Sequence, residues 1–159
     1  MKNVEVLGIN FALSELNAEG LYGVKFSHAL IKNAKTFEEE AKKIKSTLVY
    51  PEEFLVYNKE MEKTFKEHAL KDENGELVIT DNKYQIAPEK IEIFKEVEKE
   101  KREANSEVLN KAKEIEDKYN DALDNENVNV SIVYVKLEEL PETITPDQMS
   151  ALSFMIEDI

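Results

Sequence analysis

Cysteine is absent from the 159 residues of this chain, which removes disulfides, thiol nucleophiles and thiolate metal sites together. Glycine is nearly as scarce. With four glycines and no GxGxxG, GxxxxGKS/T or GxSxG arrangement, there is little room for a loop that cradles phosphate or presents a nucleophile. Histidine is confined to His28 and His68, and neither has a second ligand at helical metal-binding spacing, so no metal or cofactor site is expected. Long apolar runs are missing too. Nothing approaches the roughly 20 residues needed to cross a bilayer, and Met1-Lys2-Asn3-Val4-Glu5-Val6 lacks the apolar core of a signal peptide, so a cytoplasmic location is expected.

Positive charge is the remaining shortage. Lysine and arginine number 21 against 34 acids, a formal net charge of −13. At long range such a chain repels nucleic-acid phosphates and anionic membranes. Its expected partners are therefore proteins, its own copies or a host's, and not DNA, RNA or lipid. The excess gathers late: from residue 121 onward Asp121, Asp124, Glu126, Glu138, Glu139, Glu142, Asp147, Glu157 and Asp158 stand against Lys136, a local net of −8. That surface either favours solubility or meets a basic partner. In the second case it could imitate a DNA backbone and block a host nuclease or other DNA-binding defence protein.

Against this charged background Leu30, Ala34, Phe37, Ala41, Ile44 and Leu48 recur at steps of four and three, the spacing of a helix that packs along one stripe. The stripe predicts a helix from Ser27, an N-cap after Gly23, to about Leu48. Its solvated face carries Glu38 with Lys42 and Glu39 with Lys43 at the favourable four-residue spacing. Pro51 breaks the hydrogen-bond ladder but suits the first turn of a restarted helix, followed by Glu52 and Glu53 where the helix dipole favours anions. Phe54, Tyr57, Met61 and Phe65 then face inward as far as Leu70. Lys71-Asp72-Glu73-Asn74-Gly75 reads as a turn, since Asn and Gly tolerate positive φ, and it lacks the Asp-x-Asp-x-Asp-Gly spacing of a calcium loop. Residues 76–80 and 83–87 form a hairpin through Asp81-Asn82.

Pro88 opens a second long helix with the stripe Phe94, Val97, Ala104, Val108, Ala112, Ile115, Tyr119 and Ala122. The steps 104, 108, 112 depart from a strict heptad and predict a locally straightened seam, and Lys101 occupies a seam position. Ahead of these helices, Val4 and Val6 predict a brief strand or arm, then a helical turn or two ending at Asn17-Ala18-Glu19-Gly20. Behind them, 128–136 begins as an alternating strand and becomes apolar on both faces. Thr145-Pro146-Asp147-Gln148 combines an N-cap, a first-turn proline and a capping-box glutamine. The helix it opens carries Met149, Leu152, Met155 and Ile156 on one face; with Phe154, these methionines read as core more readily than as a binding face. The closing Glu157-Asp158-Ile159 reads as a frayed end.

The expected fold is thus α+β and mostly helical, a single domain over 1–159. An antiparallel long-helix pair, 27–70 and 88–123, carries a β-hairpin, 76–87, at its turn; a C-terminal strand, 128–136, shares the hairpin's small sheet, and a short capped helix, 146–156, follows. Enzymatic activity is not expected: Ser27 beside His28 is adjacency along the chain, and the carboxylates lie on charged helix faces where water holds their pKa values near normal. The expected role is non-enzymatic protein–protein interaction or assembly, with homo-oligomers possible through a helical stripe or a free sheet edge.

Ala12-Leu13 with Leu16, Lys32-Asn33-Ala34-Lys35 leading into Phe37-Glu38-Glu39-Glu40, Lys71-Asp72-Glu73-Asn74-Gly75-Glu76, Tyr84-Gln85-Ile86, and the strand-to-helix unit 128–156 span most of the chain. In these it resembles small acidic proteins of unknown function encoded by tailed bacteriophages of low-GC bacteria. The resemblance implies a phage accessory or assembly protein in the host cytoplasm, with no known active residues. The helix, hairpin, helix order is also similar to prefoldin-type chaperone subunits, whose hairpins pair between subunits. Those subunits have little after the second helix, whereas this chain adds a strand and another helix.

Overall fold

In the computed structural model, which describes residues 1–21 and 23–157, the chain is mostly helical. The helices are α1 (Asn3–Glu15), α2 (Val24–Ser46), α3 (Glu52–His68), α4 (Ile91–Ala104), α5 (Ser106–Asn125) and α6 (Pro146–Leu152). The strands are two residues each: β1 (Ile79–Thr80), β2 (Lys83–Tyr84), β3 (Val135–Lys136) and β4 (Ile156–Glu157). The chain divides into two units, Met1–Leu48 with Lys118–Ile159, and Val49–Asp117.

In the first unit the N-terminal segment is a 13-residue helix and not the expected strand or arm. Val6, Ile9 and Leu13 recur at steps of three and four and join one apolar cluster with Phe37 and Ile44 of α2, so helical spacing finds a core that the alternation of Val4 and Val6 does not. The start of α1 is tied to the end of α5: Asn3 N–H donates to the Glu126 carbonyl at 3.1 Å, and Asn3 Nδ2 to the Ala122 carbonyl at 3.1 Å. Helix α2 begins at Val24, three residues before the expected cap at Ser27, because Gly23 takes the N-cap position with φ 134, where a side chain would be strained. Its buried seam is also displaced, running through Phe26, Ala29, Asn33, Phe37, Ala41 and Ile44, while Leu30 and Ala34 are half-buried.

The strand expected over 128–136 is regular only at β3, which pairs in parallel with β4. Its upstream portion is occupied by contacts that replace a ladder: Val128 N–H donates to the Met1 carbonyl at 2.9 Å, and Val133 is held by a side chain of α2. Nor does this strand share a sheet with the hairpin; each belongs to its own two-stranded sheet. Helix α6 opens with the expected capping box, Gln148 N–H donating to Thr145 Oγ1 at 3.2 Å and Thr145 N–H to Gln148 Oε1 at 2.9 Å. It ends at Leu152 and passes into a tighter turn, Ser153–Met155, short of the expected Ile156. Gln148 Nε2 also donates to the Asn17 carbonyl at 2.6 Å, and the Thr143 hydroxyl to the Gly20 carbonyl, so α6 is latched to the α1–α2 connection. Leu21, Phe26, Ala29, Val135, Leu152 and Met155 form the core beneath it. The expected frayed end lies, beyond Glu157, outside the described residues.

In the second unit α3 starts directly after Pro51, the expected restart. Helices α3 and α4 pack antiparallel, Phe65 against Phe94 with ring centroids 4.9 Å apart near one end, and Lys101 Nζ 3.7 Å from Glu60 Oε2 near the other. Between them lies the hairpin β1–β2, Ile79 opposite Tyr84 and Thr80 opposite Lys83, closed by Asp81 (φ 50) and Asn82 (φ 59) in the left-handed pair of a type I′ turn. The hairpin gains a third segment from its own chain: Leu70 N–H donates to the Gln85 carbonyl at 2.6 Å and Val78 N–H to the Leu70 carbonyl at 2.9 Å. The second long helix, expected over 88–123, is preceded by a 3₁₀ turn, Pro88–Lys90, and broken at Asn105 (φ −111, ψ 20). There the Asn105 side-chain amide donates to the Lys101 carbonyl at 2.8 Å, so the irregular 104, 108, 112 steps are absorbed by a break in place of a straightened seam.

Candidate interaction surface

The residues that could have carried chemistry are dispersed. His28 is exposed on α2, and Ser27 N–H donates to the Gly23 carbonyl as part of that helix's first turn. His68 ends α3 half-buried, Nδ1 lying 2.9 Å from the Thr64 carbonyl and the ring edge-on to Phe94. Asp72 Oδ1 accepts from the N–H groups of Asn74 (2.8 Å) and Glu76 (2.9 Å), with Gly75 at φ 84, so the Asp-Glu-Asn-Gly run is a side-chain-pinned turn. Among the described residues no group of three or more His, Asp or Glu side chains converges to hold a metal ion.

Resolved displacements of proton affinity belong to solvent-facing pairs. A hydrogen bond and the charge of Glu139, 2.7 Å away, hold the Lys25 ammonium above its usual range, and the same hydrogen bond draws Glu139 down. Glu38 is lowered by its bond to Lys42, while Lys43 and Lys66 are raised by Glu40 and Glu62. Tyr50 is raised by donating to Glu116 at 2.5 Å. Water screens these pairs and leaves them ordinary surface charges. Lys101, the cation in the expected seam, is half-buried beside Glu60, which accounts for its place there.

What the structure does present is apolar surface. Helix α1 is apolar on nearly every side, which for a helix of a globular protein calls for cover all round. Val6 is buried, but Val4 (43%) and Phe11 (66%) remain exposed. They stand with Gly8 at steps of four and three on one face, and nothing lies within 4 Å of the place where a Gly8 side chain would be. Beside them an open groove of about 540 Å³ runs between Met1, Glu5, Gly8, Ile9, Ser153 and Phe154. Phe154 floors it, packed edge-on against Phe37 at 5.0 Å, and Met155 is fully buried, as the core reading of this helix expects, whereas Met149 stays exposed.

Asn33 lies in the Lys32-Asn33-Ala34-Lys35 run, where nothing local marks it as a core residue. It is fully buried, its Nδ2 donating to the Val133 carbonyl at 2.9 Å and its Oδ1 accepting from Val133 N–H at 2.8 Å, so one side-chain amide imitates a neighbouring strand. Its signal in the sequence is position: Asn33 stands four residues before Phe37 and four after Ala29, inside a seam otherwise apolar. No protein-family model, curated protein or solved structure matches the chain.

Proposed function

We propose that this chain is a non-enzymatic protein–protein interaction or assembly protein, of the kind phages encode as accessories, in which α3, the hairpin and α4 serve as scaffold. The observation that carries the reading is the uncovered Val4, Gly8, Phe11 face of α1. Exposed apolar residues grouped on one helix face call for cover, and contiguous apolar surface is the usual mark of an interface. The test is affinity purification from expressing cells with wild-type protein and Phe11→Asp, both checked for helix content by circular dichroism. A protein retained by the wild type and lost from F11D supports the reading. Equal recovery of nothing by both, with the wild type monomeric by light scattering, overturns it.

A second reading rests on the exposed acids of the last quarter, among them Asp121, Asp124, Glu138, Glu142 and Asp147. It makes the chain an inhibitor of a basic, DNA-binding protein, and it requires binding that weakens steeply with salt. The chaperone reading keeps only the α3, hairpin, α4 order, and residues 69–71 of the same chain already pair with the hairpin.

A further inference from the structure

We infer that the groove between α1 and α6 takes a basic amphipathic helix of a partner protein; the inference rests on the protein-interaction reading and names the partner's chemistry. Gln148 Nε2 reaches the Asn17 carbonyl beyond one end of α1, while Ser153 and Phe154 lie beside Glu5, Gly8 and Ile9 toward the other. Helix α6 and the turn after it therefore run antiparallel to α1, with the groove between them.

This groove has the form of a seat for a third helix. Its walls are a helix and a helical turn whose backbone groups bond within themselves, so neither offers an edge to an extended strand. The 13 residues of α1 give it a length of roughly 20 Å. At Gly8 the wall is open: no atom lies within 4 Å of the missing side chain, so a helix can approach the α1 backbone there. Ile9 and Phe154 line the groove, Val4 and Phe11 are exposed along α1, and Met149 is exposed one turn before Ser153. An occupant that covers them brings apolar residues at three- and four-residue spacing, the pattern of a helix laid into a groove.

Charge decides what flanks that apolar stripe. Residues 1–21 and 137–157, which build both walls, hold eight acids and one base, a local net of −7. Glu5 lines the groove itself, and Glu15 and Asp147 are exposed on α1 and α6. Lysine or arginine on either side of the stripe is complementary to these acids. A second copy of this chain would instead bring the same acids against them.

Two synthetic amphipathic peptides of about 18 residues test the inference, one with leucine on one helical face and lysine on the other, the second with glutamate in place of lysine. Binding to the full chain is followed by fluorescence anisotropy. The lysine peptide should bind, more weakly as salt rises, and the glutamate peptide should not. Gly8→Arg fills the groove with a cation where nothing crowds it, and should weaken binding at least about tenfold with helix content intact by circular dichroism. Asn58→Arg, exposed on α3, makes the same change of net charge and should bind as wild type does. Phe11→Ser removes apolar surface at constant charge and should also weaken binding about tenfold.

Equal binding of the lysine peptide to wild type, G8R and F11S means charge attraction without a seat, and overturns the inference. Preference for the glutamate peptide overturns it as well. Where neither peptide binds, yet the wild type retains a protein that F11D loses or self-associates through this face, the partner's chemistry is overturned and the interaction reading stands. Neither peptide bound, a monomeric wild type and nothing retained overturn both.

Discussion

Replacing Asn33 with alanine should be the most damaging single change of a polar residue in the first unit. The substitution removes both hydrogen bonds to Val133, at 2.9 and 2.8 Å, from a side chain that is 0% exposed. Each backbone group left unpaired in a buried site costs about 1–3 kcal/mol. Val133 is itself 39% exposed, so its peptide group regains some water and the lower half of that range applies to each, with a small cavity added where the amide stood. The expected loss is about 2–4 kcal/mol, a large share of the roughly 5–15 kcal/mol that stabilises a typical domain. In a chain of this size that lowers Tm by about 5–15 °C. Thermal melts followed by far-ultraviolet circular dichroism, with exposed Lys32→Ala as the control, measure it. Asn33→Asp separates the two bonds: it keeps the acceptor for Val133 N–H, loses the donor and buries a charge facing a carbonyl. It should be at least as destabilised as N33A at neutral pH and should recover in part as acid neutralises it. An N33A protein melting within about 2 °C of wild type would refute the claim that this amide holds the extended segment in place.

Other expectations are smaller. Thr145→Ala should cost about 1 kcal/mol through the lost N-cap, and Gln148→Ala about 2 kcal/mol because it also releases the Asn17 carbonyl; chemical denaturation of both singles and the double should show less than additive losses. Gly75→Ala should cost about 1 kcal/mol from its φ of 84 alone, since nothing crowds the added carbon, and equal stability would contradict the left-handed turn. The Glu139 carboxylate, observed by NMR, should titrate below its ordinary 4.5 and return toward it in Lys25→Ala or in high salt. The stabilisation from Glu139 is present above the ordinary carboxylate range and is lost as pH falls through the lowered value, whereas that from Lys25 is lost only as pH rises through a value above 10.5.

The elements legible in the sequence were those whose geometry is set within a few residues. The restart after Pro51, the pinned turn at Asp72 to Gly75, the Asp81-Asn82 hairpin and the Thr145 capping box all stand as their residue types require. In α1 the local preference of Val4 and Val6 for a strand is overridden by contacts that come from α2 and from the end of α5. The apolar face of α1 exists only at helical spacing, so it is not legible without those contacts. The α2 stripe was displaced because Asn33 looks polar until its partner is known, and that partner is 100 residues away.

By itself the sequence determined that the chain is rich in helix, where its turns and caps fall, and that its surface is strongly acidic, because backbone preference, short-range hydrogen bonds and formal charge need no distant neighbour. Tertiary structure alone decided which side of α2 is buried, how little of 128–136 becomes a ladder, where the second long helix breaks and which apolar residues remain uncovered. Those outcomes depend on which segments meet, and burial is rewarded only once they have met.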